Sequence, residues 1–280
     1  MTSPGTLYVV ATPIGNLGDL SPRAREVLAN VQAILAEDTR RTGQLLAACG
    51  LATPLLAFFE HNEQELLPKL LARLRRGESL ALVADAGTPL LCDPGFRLVR
   101  ACRKEGLPVA AVPGPSAVAA ALSVAGLPPY PFTFLGFLPQ RQKARRDFLA
   151  RYASLPHTLV MFLTPHRLPQ ELADCAAVLG ESREAALCAE LSKLFERCLW
   201  GTLGSLAQAS LVRKGEFTLV VGPPPAFPAE KPSPAQAKAL VENLLASGLP
   251  LPEARKQAAR RLGVRSKELY QLLEAAKSEA

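Results

Sequence analysis

The sequence predicts an α/β protein with two α/β domains and a small helical appendage at its C-terminal end. Over residues 1–125, short apolar runs alternate with helical stretches, a pattern typical of a mostly parallel sheet covered by helices. A Pro- and Gly-rich segment at 126–131 interrupts the alternation, and a proline-rich segment follows at 222–234. We therefore expect domains at 1–125 and 126–225, and a linker with a basic helical appendage at 226–280.

Five apolar runs are the predicted strands of the first domain. Ser21 followed by Pro22 predicts a helix start between the first two runs, and Gly50, Gly77 and Gly106 predict helix ends. The runs are Leu7–Ala11, Val31–Ala36, Leu55–Phe59, Leu80–Ala84 and Val109–Val112.

The second domain is predicted to contain five further strands, whose directions the pattern leaves open. We expect helices at Lys143–Arg151 and from Pro169 to Gly180. In the appendage, helices at Glu253–Leu262, ended by Gly263, and at Ser266–Leu273 resemble a helix-turn-helix. The predicted strands are Phe132–Phe137, Thr158–Leu163, Ala185–Ala189, Arg197–Trp200 and Phe217–Val221.

Composition excludes several classes of protein. With 49% hydrophobic and 20% charged residues the chain is globular rather than disordered. No apolar run approaches the ~20 residues of a membrane span, and no basic segment of a secretory signal precedes the first strand, so a cytoplasmic protein is expected. The six cysteines and three histidines show no metal-ligand spacing, and we expect no metal site. The net charge of +7 favours an anionic partner.

Each predicted strand of the first domain is followed by glycine, proline or polar residues. Because the carboxyl ends of parallel strands meet at one edge of a sheet, these five loops predict a ligand site there. Neither a phosphate-binding loop of the G-x-x-x-x-G-K-[ST] type nor a G-x-G-x-x-G fingerprint follows a strand, and no G-x-S-x-G elbow indicates a hydrolase.

Eight short motifs, in order along the chain, resemble the branch of the tetrapyrrole methylase superfamily that modifies ribosomal RNA. The resemblance implies S-adenosylmethionine bound between two α/β domains and 2′-O-methylation of a cytidine in 16S RNA of the small ribosomal subunit. It also implies a homodimer, for which the apolar strands of the second domain are the expected interface. The motifs are TPIGNLGD (12–19), AEDTR (36–40), DAGTP (85–89), DPG (93–95), PGPS (113–116), TPHR (164–167), ELSK (190–193) and KGEFT (214–218).

The resemblance implies a set of cofactor contacts in both domains, each assigned to the matching position of this sequence. Porphyrin-type relatives have Gly-Gly-Asp-Pro where this chain has Ala86-Gly87-Thr88-Pro89, which argues against a porphyrin substrate. The implied contacts are Pro13, Ala86, Gly87, Thr88, Pro89, Leu91, Ser116, Ala117, Leu163, Leu191 and Thr218.

A neutral ribose 2′-hydroxyl is a poor nucleophile, and a carboxylate or imidazole within hydrogen-bond reach helps to remove its proton. The candidates at the predicted edge are Glu37, Asp38, His61 and Asp85, and the sequence does not choose among them. Adjacent residues point in different directions, so only one of Glu37 and Asp38 is expected to face the cleft. Asp38 could instead cap the next helix. His61 could instead be an ordinary surface histidine.

Basic residues are candidates for contacts with RNA phosphates. Arg40 and Arg167 follow predicted strands, although each could instead pair with a carboxylate or lie in a solvated loop. The run from Arg141 to Arg146 is typical of a solvated helix face and is the weaker RNA candidate. The tail is the better one, although a packing or dimerisation module is an open alternative. Its candidates are Arg255, Lys256, Arg260, Arg261, Arg265 and Lys267.

Two other functions stay open at this point. One is C-methylation of a tetrapyrrole precursor of corrinoids or sirohaem, which leaves the basic appendage without a purpose. The other is a non-catalytic RNA-binding factor in ribosome assembly that retains the fold.

Overall fold

The computed structural model describes residues 3–212, 214–224, 233–262 and 264–278. The chain divides into two compact units, Met1–Pro224 and Pro225–Ala280. Both sheets belong to the first unit, so the two predicted α/β domains lie within it. The predicted helix end at Gly263 and most of the predicted proline-rich linker (225–232) lie outside the described residues. Among the described helices, none combines the length and apolar character that a bilayer crossing requires.

The first sheet has five parallel strands in the order β3-β2-β4-β1-β5. Helices cover both faces, so Leu35 packs on one side and its neighbour Ile34 on the other. Burial on two faces explains why the strands are apolar throughout. The strands are β1 (Leu7–Val10), β2 (Ala33–Ala36), β3 (Leu55–Ala57), β4 (Leu80–Val83) and β5 (Val109–Val112).

The helices between these strands begin and end at the residues that the sequence marks. The Ser21 side chain accepts from the amide of Ala24, and Pro22 is the first helical residue. Gly50 follows its helix in the left-handed conformation, with φ +68°. The helices are α1 (Pro22–Asn30), α2 (Thr39–Ala48), α3 (Glu60–Arg75), α4 (Phe96–Lys104) and α5 (Ala117–Val124).

The second sheet is mixed, with the order β6-β7-β10-β8-β9. Only β6 and β7 are parallel, and the other three pairs are antiparallel. One short helix, α8, was not predicted. The elements are β6 (Phe132–Phe137), α6 (Gln142–Ala150), β7 (Thr158–Leu163), α7 (Leu168–Leu179), β8 (Glu184–Ala189), β9 (Arg197–Thr202), α8 (Leu203–Gln208) and β10 (Phe217–Val221).

Helix α5 connects the two sheets. It follows the last strand of the first sheet, yet its residues Val118 and Ala121 pack against Val160 of β7 and Val220 of β10. This apolar contact holds the carboxyl edge of the first sheet beside the second sheet. The two sheets therefore form the walls of a cleft.

The basic run in α6 is partly buried. Arg145 is only 3% exposed, and its guanidinium donates to Asp174 of α7 at 2.7–2.8 Å. Arg146 donates to the same carboxylate at 2.6 Å. Hydrogen bonds from both arginines and from Gln142 lower the pKa of Asp174 against the opposing effect of its burial. The expectation of a solvated face is thus wrong for Arg145, because the α6–α7 contact requires this ion pair.

The described part of the second unit consists of three helices around a small core of its own. Ala237 and Val241 of the first helix pack with Ala254 and Ala258 of the second and Leu269 of the third. The helices are α9 (Pro234–Ala246), α10 (Leu251–Arg261) and α11 (Ser266–Ser278).

Candidate active site between the two sheets

The loops that follow β1, β4 and β5 are tied together by hydrogen bonds. The amide of Thr12 donates to the carbonyl of Gly87 at 2.9 Å, and the amide of Gly87 donates back to Thr12 at 3.0 Å. The Thr88 hydroxyl donates to the carbonyl of Pro115 at 3.1 Å. These bonds lie at the carboxyl edge of the parallel sheet, where the sequence predicts a ligand site.

A cleft of about 350 Å³ lies between this edge and the second sheet. Its volume is within the ~300–1,000 Å³ range of small-molecule sites. Its walls are mainly apolar, and they also contain the carboxylates of Asp85, Asp93 and Glu216. The lining residues are Ile14, Arg41, Asp85, Ala86, Gly87, Thr88, Leu91, Cys92, Asp93, Ser116, Ala117, Val118, Phe137, Phe162, Leu163, Thr164, Pro165, Gly215, Glu216, Phe217 and Thr218.

Of the eleven implied cofactor contacts, the structure brings eight into this lining. The other three are Pro13, Pro89 and Leu191. Pro13 directly precedes the lining residue Ile14, Pro89 is buried, and Leu191 packs in one cluster with Ile14. The eight are Ala86, Gly87, Thr88, Leu91, Ser116, Ala117, Leu163 and Thr218.

Backbone strain is concentrated beside two of the implied contacts. In the described ranges, the non-glycine residues with positive φ are Leu90 (+73°), Cys92 (+77°), Glu190 (+54°) and Ser192 (+64°). These pairs flank Leu91 and Leu191, respectively. Non-glycine residues in this region cost roughly 1–3 kcal/mol each and are concentrated at binding and catalytic sites.

Much of the second-sheet wall is new relative to the sequence prediction. Phe137 ends β6, and Thr164 and Pro165 follow β7, so their positions at strand ends were a usable signal. Glu216 and Phe217 lie instead at the start of β10. They reach the same edge because β10 is antiparallel to β7, with Phe217 opposite Leu163. Strand direction was the information that the sequence pattern lacked.

Three carboxylates form an acidic cluster in and beside the cleft: Glu37, Asp85 and Asp93. Burial, together with the charges of Glu37 and Asp85, raises the pKa of Asp93 to about 6. Although Glu37 is exposed, partial desolvation of its carboxylate raises its pKa, as do the charges of Asp85 and Glu60. Asp93 belongs to the motif Asp93-Pro94-Gly95, but the sequence alone does not mark it as a site residue.

The candidate bases differ in their contacts. Asp38 caps α2 by accepting from the amide of Arg40 at 2.9 Å, and its pairing with the Arg40 side chain lowers its pKa to about 2. Asp85 accepts from the amide of Asp38 at 3.0 Å and lies 3.5 Å from Arg41. His61 is exposed in the first turn of α3 and does not line the cleft. Glu37 is exposed, and within the described ranges no residue donates a hydrogen bond to its carboxylate.

The predicted RNA contacts fall in separate places. Arg40 is 88% exposed beside the cleft, whereas Arg167 donates to the buried carboxylate of Glu171 at 2.9 Å. The six basic residues of the tail are all exposed in the second unit. They are Arg255 and Lys256, Arg260 and Arg261 in α10, and Arg265 and Lys267 at the start of α11.

Comparison with known proteins identifies the class to which this fold and cleft belong. The family model of tetrapyrrole (corrin/porphyrin) methylases matches residues 6–207. The structure of diphthine synthase is similar with a TM-score of 0.61 at 15% identity, covering 78% of this chain and 89% of that one. Uroporphyrin III C-methyltransferase from Thermus thermophilus is similar with a TM-score of 0.55 at 22% identity, covering 77% and 97%. At these identities the structural likeness shows the fold alone.

Curated relatives narrow the class. A protein named ribosomal RNA small subunit methyltransferase I from Xylella fastidiosa (strain Temecula1) is 50% identical over 96% of this chain and 99% of its own length. The protein of the same name from Escherichia coli O157:H7 is 46% identical over 96% and 94%. The chain belongs to the tetrapyrrole methylase family and, within it, to the ribosomal RNA small subunit methyltransferase I family.

S-adenosylmethionine is the methyl donor of these methylases and hence the cofactor of the chain. The cleft fits this molecule in charge as well as in size. The donor has a positive sulfonium, a positive amino group and one negative carboxylate, so its net charge is positive. Among the described residues that line the cleft, three carry a carboxylate (Asp85, Asp93 and Glu216) and one, Arg41, carries a positive charge. Burial and the charges of Glu37 and Asp85 raise the pKa of Asp93, and a positively charged ligand would offset the repulsion between these carboxylates.

Proposed function

We propose that the chain methylates the ribose 2′-hydroxyl of a cytidine in 16S RNA of the small ribosomal subunit, in the cytoplasm. The observation that carries the proposal is the near-full-length similarity to proteins named for methylation of small-subunit ribosomal RNA. The cytidine and the 2′-oxygen rest on the family resemblance of the motifs at the sheet edge. An acidic cleft of suitable size for the donor is consistent with both.

The cleft residues bind and shield the donor. When bound, S-adenosylmethionine supplies a methyl carbon that is already a strong electrophile. Ala86, Gly87 and Thr88 would hold it on the first-sheet side. Phe162 and Phe217 contribute apolar surface on the other side and exclude water. Fixing the reacting atoms in near-attack geometry lowers the barrier by ~7–11 kcal/mol.

Glu37 is the best-placed acceptor for the proton of the 2′-hydroxyl. It follows β2 directly, is exposed where a large substrate can reach it, and lies close enough to Asp85 for their charges to interact. A raised pKa makes the carboxylate a stronger base at neutral pH. Asp38 and Asp85 are engaged by Arg40 and Arg41, which leaves Glu37 freer to accept a proton.

Arg40 and Arg41 are suited to hold the RNA backbone at the mouth of the cleft. Arg41 lines the cleft with 61% of its side chain exposed, and Arg40 is still more exposed. Two exposed guanidinium groups there offset the repulsion between RNA phosphates and the acidic cluster.

A homodimer is part of the proposal. Leu194 and Phe195, which precede β9, and Trp200 within it are large apolar side chains that are more than half exposed. Exposed apolar surface of this kind is typical of protein interfaces. Light scattering on the purified chain tests it, and the mass of a single chain over the micromolar range contradicts it.

The test of the reaction uses donor with a labelled methyl group. Purified protein is incubated with small subunits that lack the modification, or with a tetrapyrrole precursor, and the RNA is digested to nucleosides. The proposal predicts label in 2′-O-methylcytidine. Label on a cytosine base, on the tetrapyrrole, or nowhere contradicts it.

A further inference from the structure

The second unit contains a groove that the methyl-transfer site does not use. It has a volume of about 340 Å³ and lies between α10 and α11. Tyr270 lines it, and this residue is 55% exposed. Tyr270 is absent from the apolar core of the three helices, so its ring is free to contact a ligand in the groove. The lining residues are Pro252, Arg255, Lys256, Ser266, Leu269, Tyr270 and Leu273.

The charges of the groove are of one sign. Arg255 and Lys256 lie on one wall, and none of the described residues that line the groove carries a carboxylate. Throughout the described ranges, neither cation has an acidic side chain within ion-pair distance. Unpaired cations beside an apolar surface suit a ligand that is anionic at one end and flat and apolar at the other.

A nucleotide of an unpaired RNA strand has this chemistry. Its base stacks on an aromatic ring, and its phosphate pairs with Lys and Arg, the combination by which proteins bind single strands. The hydroxyl of Ser266 at the start of α11 is available to the sugar or phosphate. We infer that this groove binds one nucleotide of single-stranded RNA, with the base on Tyr270 and the phosphate on Arg255 and Lys256.

The groove suits a single strand better than a duplex. A duplex hides the faces of its bases and presents only phosphates and groove edges, so Tyr270 would gain no stacking partner. The ligand class rests on the proposed function, whereas the groove belongs to the other compact unit and shares no residue with the cleft.

Fluorescence anisotropy of a labelled 12-nucleotide single strand, titrated with the full-length chain, tests this inference. Tyr270→Leu keeps an apolar helix-forming residue and should weaken binding about fivefold or more. Lys256→Ala should reduce the slope of log affinity against log salt by about 0.7, the share of one phosphate contact on a single strand. Lys238→Ala removes the same charge from α9, outside the groove, and should leave the slope unchanged.

Photocrosslinking maps the contact without any variant. The same strand carrying 4-thiouridine is irradiated with the wild-type chain, and the crosslinked peptide is sequenced. A crosslink in the peptide that contains Tyr270 supports the inference. Crosslinks confined to residues 3–224 overturn the inference. So does a Tyr270→Leu variant whose oligomeric state changes while its affinity for RNA does not. Because methylation of small subunits is scored separately, an inactive groove and a wrong reaction are distinguishable.

Discussion

A β-carbon added at Gly87 would lie 3.2 Å from Cγ2 of Ile14 and 3.7 Å from the carbonyl oxygen of Pro115. Residue 87 also has φ +81°, a conformation that side chains disfavour. The loops after β1, β4 and β5 thus meet around a position where a β-carbon would press on Ile14. This close approach shapes the first-sheet wall of the cleft.

Replacement of Gly87 by alanine is therefore expected to weaken donor binding as well as stability. The left-handed conformation costs roughly 1–2 kcal/mol for a residue with a β-carbon. The added atom would also push on Ile14 and so displace the loop that lines the cleft. Gly50→Ala is the matched control, because φ is +68° there and nothing lies within 4 Å of the added atom. Calorimetric affinity should fall only for Gly87→Ala, and equal affinity in the two variants contradicts the account.

Glu37→Gln is expected to lower the turnover of RNA by about 10²–10⁴-fold, the usual contribution of a general base. Donor affinity should change little, because the proton acceptor acts on the RNA hydroxyl. Asp38→Asn is the control: the amide oxygen can still cap α2, so turnover should stay within a few-fold of wild type. Single-turnover rates with small ribosomal subunits as substrate show which of the two carboxylates accepts the proton. The reverse order of effects would make Asp38 the base.

Asp174→Ala is expected to lower the free energy of unfolding by about 3–5 kcal/mol, because Arg145 would remain buried without its partner. Lys143→Ala, in the exposed part of the same helix, should change it by no more than about 0.5 kcal/mol. Urea unfolding measures both. Since the pKa of Asp174 is lowered in the folded state, its stabilisation should be present above about pH 4 and lost as pH falls further. Equal effects of the two substitutions contradict this role.

The first sheet was predictable from the sequence because parallel strands buried on both faces are apolar throughout. β5 begins and ends at the predicted residues, and the Ser21 cap and the Gly50 helix end have local causes that the sequence shows. Helix α8 has six residues, too few to establish a helical period. The mixed direction of the second sheet depends on long-range pairing, which local pattern does not contain.

The site was predictable only in part, for a related reason. Gly87 and Ser116 follow strands of one direction, so their meeting at one edge was expected. The ion pair of Arg145 with Asp174 joins two residues that are 29 positions apart in the sequence, and a basic run alone does not indicate burial. The raised pKa of Asp93 arises from Glu37 and Asp85, which only the folded chain brings near it.

Asp93 makes donor binding dependent on pH. With its pKa raised to about 6, the carboxyl group is largely protonated at pH 5 and ionised at pH 7.5. The affinity for a cationic ligand should therefore fall as pH drops below about 6, by no more than tenfold per pH unit. In the free protein the sign is opposite: the folded state holds the proton more tightly, so the contribution of Asp93 to stability decreases as pH rises from about 4 to 6.

Calorimetric titration of S-adenosylmethionine into wild type and Asp93→Asn, at pH 5 and pH 7.5, tests the central claim most directly. Wild-type protein should bind the donor saturably at pH 7.5 and more weakly at pH 5. Asp93→Asn should bind it about tenfold more weakly at pH 7.5, the size of one charge-assisted contact of about 1.5 kcal/mol, and its affinity should depend little on pH. Absence of saturable binding by folded wild-type protein contradicts the claim that this cleft holds the methyl donor.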